Sequence, residues 1–109
     1  MTSARLYLLQ RLSAMVLAPL VLLHLVVIVY AVQDGLSASE ILSRTRGNLA
    51  WTAIYGVFVL AAAVHGAIGL RSIAGEVLGW TKGRLDALMY GIALLLIVLG
   101  WRAVAAVTL

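Results

Sequence analysis

Residues 12–32 form an unbroken run with no charged side chain. About 21 residues of helix, rising roughly 1.5 Å each, cross a hydrocarbon core of about 30 Å. In hydrocarbon every backbone N–H and C=O must find its partner inside the protein, so a lone apolar run of this length is expected to be helical. Two further runs of the same character follow, and together the spans are expected at about 11–33, 48–71 and 85–107. The sequence therefore predicts an all-α membrane protein with three transmembrane helices, a single membrane-anchor domain over residues 1–109. A composition of 64% hydrophobic and 11% charged residues fits a bundle solvated by lipid and not a water-soluble domain of this size. The first run is too long for a signal-peptide core and no small-x-small cleavage site follows it, so it reads as a span.

The breaks between spans are marked by local chemistry. Pro19 lies inside the first run and is expected to kink it, freeing the Met15 carbonyl. Gln33, Asp34 and Gly35 end that span, and Ser37 with Glu40 three residues on reads as a capping box for a short interfacial helix. Gly47 and Asn48 start the second span, with Trp51 and Tyr55 as interfacial anchors. Residues 71–84 read as a polar connection holding Gly75, Gly79, Gly83 and Trp80. Asp86 falls in the first turn of the third span and Arg102 can snorkel from near its end.

The eight basic residues sit at the ends of these runs, so the net charge of +4 reads as membrane topology and not as a nucleic-acid footprint. Arg5, Arg11, Arg71, Lys82 and Arg84 share one side; Arg44, Arg46 and Arg102 share the other. The excess predicts an inner N-terminus. With no cysteine, the chain cannot itself hold a disulfide, a thiolate site or an iron–sulfur cluster.

The two histidines, His24 and His65, both fall inside spans. Ionisable groups in the bilayer are costly, which makes each a functional-site candidate. His65 has Gly69 one turn on, leaving bare backbone beside the ring where a flat group can approach, and Phe58, Ala61, Ala62 and Ser72 lie near the same stripe. A neutral imidazole there suits haem iron. Counted from Arg11 and Arg71, the two rings lie at heights differing by about 10 Å. Axial nitrogens on one iron are only about 4 Å apart, taking metal–nitrogen bonds near 2 Å. If both histidines are ligands they serve two haems, each completed by another chain, which makes this chain half of a two-subunit haem-binding bundle. The alternative, a histidine that hydrogen-bonds a neighbouring helix, stands open on the sequence alone.

His65, Gly69, Leu70 and Arg71, followed by Glu76, resemble the second helix of the cytochrome b membrane-anchor subunit of succinate dehydrogenase and fumarate reductase. Arg11 and Ser13 resemble the entry to that family's first helix, and His24 resembles the helix-one histidine of its two-haem members. The resemblance implies haem b (one or two, shared with a partner subunit), with His65 ligating the inner haem, His24 the outer one, and Arg71 balancing a propionate. It implies a quinone pocket near Arg11 and Ser13, with Tyr7 standing where single-haem members carry a serine. It also implies partners: a second anchor subunit, an iron–sulfur subunit and a flavoprotein, in the inner (cytoplasmic) membrane. A haem-free anchor of the same complex, or a small helical transporter or assembly protein, are the competing readings. Against transport, no acidic residue lies deep in a span.

Overall fold

The structure is a computed structural model that describes residues 2–109; Met1, within the expected domain, lies outside the described residues. Its elements are α1 (Ser3–Asp34), α2 (Ala38–Thr45), α3 (Leu49–Leu78) and α4 (Lys82–Thr108). The three long helices are the three expected crossings, each long and apolar enough to span a membrane. The chain is a multi-pass membrane protein.

Both ends of α1 exceed the charge-free run. Thr2 caps its start by accepting a hydrogen bond from the Arg5 N–H at 3.3 Å. The helix ends at Gly35, whose φ of 140° few other residues adopt. Pro19 sits inside α1 without ending it. Ser37 caps α2 as expected, accepting from the Glu40 N–H at 3.2 Å and donating to the Glu40 carboxylate at 2.6 Å. Asn48 caps α3 through Oδ1, which accepts from the Ala50 and Trp51 N–H groups. The expected polar connection is largely helical instead: α3 continues past Arg71 to Leu78 and stops at Gly79, which takes the left-handed conformation. Hydropathy falls at Arg71, but nothing there breaks a helix, and a segment leaving the membrane need not unwind.

Helix α3 is the central element, packed on α1 along one side and on α4 along the other. Its buried residues are small, Ala61, Ala63, Ala67 and Ala74, with Ile68. Small side chains let helix backbones approach closely, which is how membrane helices gain contact when lipid is as apolar as they are. On α1 the residues turned from solvent are Leu6, Gln10, Ser13, Leu17, Leu20, Leu23, Val27 and Ala31, a seam at spacings of three and four. The opposite flank, with Leu22, Val26 and Val29, is exposed. At the N-terminal end of α1, Leu6 packs with Ala67, Ile68 and Met89, so three helices meet there.

At the other end α2 acts as a clip. The Thr45 hydroxyl donates to the Val107 carbonyl at 2.6 Å and the Gly47 N–H to the Thr108 carbonyl at 2.8 Å, satisfying orphan carbonyls of the last turn of α4. Arg44 reaches the other way, pairing with Asp34 and donating to the Gly35 carbonyl, both at 2.8 Å. One short helix thus ties the end of α1 to the end of α4. Beneath it, α1 and α4 stand apart and enclose a cavity of about 540 Å³ floored by α3.

Candidate functional site

The α1–α3 seam places His65 against Ser13. The Ser13 Oγ lies 3.2 Å from His65 Nδ1 and 2.9 Å from the Gln10 carbonyl one turn back. Ser13 is buried, while His65 keeps part of its ring open at the helix surface. A hydroxyl has one proton, and a carbonyl oxygen has none to offer. When the serine proton points at the Gln10 carbonyl, which is the shorter of the two contacts, Oγ is left to accept from an Nδ1–H imidazole. His65 Nε2 has no hydrogen-bond partner among the described residues. Gly69, one turn on, faces the Gln10 amide: a Cβ there would sit 3.6 Å from Gln10 Nε2, in ordinary contact. Gly69 leaves the backbone bare as expected, and it is the Gln10 amide, not an open approach for a flat group, that lies against it.

His24 sits at a different level. It is eleven residues beyond Ser13 on α1, about 16 Å along the axis. Its ring meets Phe58 edge-on at 5.1 Å between centroids and Tyr55 at 6.4 Å, and it lines the 540 Å³ cavity. Tyr55 stacks on Trp51 at 5.3 Å, so the residue expected as a membrane-belt anchor also walls the His24 site. Apart from Arg44 and Thr45 at the α2 end, and the His24 and Tyr55 rings, the cavity lining is apolar. The expectation that the two imidazoles lie at different heights holds: His65 is level with Ser13, and His24 with Phe58.

The remaining expected site residues fall into two groups. Arg71 lies beside Asp86, its Nε and Nη2 each 2.9 Å from the same carboxylate oxygen, with both side chains mostly withdrawn from solvent. This pair, which joins α3 to α4, was not anticipated from the sequence. The available signal was two opposite charges near facing ends of consecutive helices, Arg71 about two turns and Asp86 about one turn inside. Tyr7 and Arg11 are neighbours on the exposed face of α1, the guanidinium donating to the phenol oxygen at 3.3 Å and lying 5.7 Å from the ring centre. Ser13, although only two residues from Arg11, is turned into the helix seam, so the structure brings Tyr7 and Arg11 together and sets Ser13 with His65. Sequence reading also missed Phe58 and Tyr55 as flanks of His24; their spacing of three on one helix face was the clue.

Among the described residues each imidazole keeps at least one nitrogen free of hydrogen-bond partners, which is what a metal-ligating histidine needs. A family model described as succinate dehydrogenase/fumarate reductase transmembrane subunit matches residues 2–104. No curated protein and no solved structure matches the chain.

Proposed function

Since the chain belongs to the succinate dehydrogenase/fumarate reductase transmembrane-subunit family, we propose that it is the haem b-binding anchor of a succinate:quinone oxidoreductase, passing electrons between an iron–sulfur subunit and membrane quinone. Membership makes it one subunit of a larger membrane assembly. In this reading His65 would hold the haem on the inner side and His24 the one on the outer side. A second anchor subunit would complete both sites. The N-terminus lies inside, in the inner (cytoplasmic) membrane.

The observation that carries the haem reading is the pairing of His65 Nδ1 with a buried serine at 3.2 Å while the other nitrogen is left free in an apolar span. A histidine kept only for helix packing has no need of an unpaired nitrogen in hydrocarbon, where an unsatisfied polar atom is costly. Bound haem supplies one-electron chemistry; the chain's own residues orient it and exclude water. Ser13 fixes the His65 ring, the small residues of α3 allow close approach, and Phe58 and Tyr55 hold the His24 ring from the side. The exposed pair Tyr7 and Arg11 offers hydroxyl and guanidinium donors to a quinone carbonyl. Arg71 is held by Asp86, so balancing a propionate requires the two to share.

The test is the composition of the complex purified through a tag on this chain. Flavoprotein and iron–sulfur subunits should co-purify, with two b-type haems per complex resolved by redox titration. A complex with those subunits and no haem leaves only the structural anchor. A chain that purifies with neither subunit contradicts the assembly.

A further inference from the structure

We propose that Ser13 is a positioning residue for haem ligation: it holds His65 as the Nδ1-protonated tautomer and leaves Nε2 free for iron. The inference rests on the haem reading of His65 given above and adds to it a residue that the family resemblance places at the quinone instead.

The geometry is a relay of two hydrogen bonds. His65 Nδ1–H donates to Ser13 Oγ across 3.2 Å, and Ser13 Oγ–H donates to the Gln10 carbonyl across 2.9 Å. The carbonyl can only accept and its contact is the shorter of the two, so in the proposed relay it takes the serine proton and His65 carries its own on Nδ1. Metal-bound histidines nearly always donate their second N–H to an oxygen acceptor, which orients the ring and makes the ligating nitrogen a better donor. Here the acceptor is a hydroxyl polarised by a carbonyl, in a seam whose serine is only 7% exposed. Low local dielectric strengthens such a relay. A helical serine that merely bonds its own backbone would satisfy the Gln10 contact alone. Contact across α1 and α3 with a residue 52 positions away is what that simpler role does not require.

The experiment compares Ser13→Ala, Ser13→Thr and His65→Ala in the assembled complex, reading haem content, the low-spin ferric resonance and the midpoint potential of each b-type centre. Removing the hydroxyl weakens the imidazole as a donor, and the ferric state depends on that donation more than the ferrous state. In Ser13→Ala the potential of the His65 centre should rise; a tenfold selective loss for ferric iron corresponds to about 59 mV for a one-electron couple. Haem affinity should fall about 10- to 100-fold. The ferric resonance should shift, the His24 centre should not, and Ser13→Thr should restore the parent values. If Ser13→Ala assembles without haem at this site, Ser13→Thr must regain it, and failure to do so overturns the proposal. An unchanged potential and resonance in Ser13→Ala, with haem lost in His65→Ala, overturns the role of Ser13 and leaves the haem reading intact. Haem retained in full by His65→Ala removes the reading on which both depend.

Discussion

Arg71 and Asp86 meet across the α3–α4 connection with two nitrogen–oxygen contacts of 2.9 Å to one carboxylate oxygen, their side chains 16% and 21% exposed. The pair joins two long apolar helices, and it engages an arginine whose motif resemblance points to a cofactor carboxylate. Charge-assisted hydrogen bonds of this kind are stronger than neutral ones.

Asp86→Ala should therefore cost about 1.5–3 kcal/mol, the range for hydrogen bonds to charged groups. Thermal unfolding of the solubilised complex checks this. A double-mutant cycle with Arg71→Ala should show coupling between the two positions, because the residues share one interaction. Additive losses contradict the pairing.

Gly100 lies where α4 crosses Val59 of α3, and a Cβ added there would overlap the valine side chain. Gly100→Ala should destabilise the α3–α4 packing by about 1–3 kcal/mol, the usual range for overpacking. Val59→Ala in the same chain should recover most of that loss. A Gly100→Ala protein as stable as its parent contradicts the close approach.

Thr45 ties α2 to α4 through its 2.6 Å hydrogen bond to the Val107 carbonyl. Thr45→Val keeps the shape and leaves that carbonyl without its partner, at a cost of about 1–3 kcal/mol. Hydrogen exchange at the α2 amides should accelerate, since the clip is then held to α4 by the Gly47 N–H and packing alone. Unchanged protection contradicts the clip.

His24→Ala should remove one of the two b-type centres and leave the centre at His65 with its potential unaltered, because the two rings lie at separate levels of the bundle. Phe58→Ala, which strips the nearest ring from His24 at 5.1 Å, should retain the haem with a changed ferric resonance. Loss of both centres in His24→Ala contradicts two independent sites.

The crossings were legible because hydropathy is a local property, and a charge-free run has few alternatives once water is absent. Capping was legible for the same reason: Ser37 and Glu40, like Asn48, act within one turn of themselves. The end of α3 was misplaced at Arg71 because the sequence marks where the membrane stops, whereas the helix stops at Gly79. Contacts between helices were the hardest to read. Ser13 and His65 each look like isolated polar residues, and only the register of α1 against α3 joins them. Arg71 and Asp86, 15 residues apart on consecutive helices, were closer to reach, since a short connection brings the facing ends of two helices together.

The central claim is that His65 binds haem iron, and the reduced-minus-oxidised absorption spectrum of the purified complex tests it most directly. The His65→Ala complex, compared with its parent at equal subunit content, should lose the b-type absorbance of the inner centre while flavoprotein and iron–sulfur subunits remain attached. A His65→Ala complex with the full parental b-type spectrum contradicts the account.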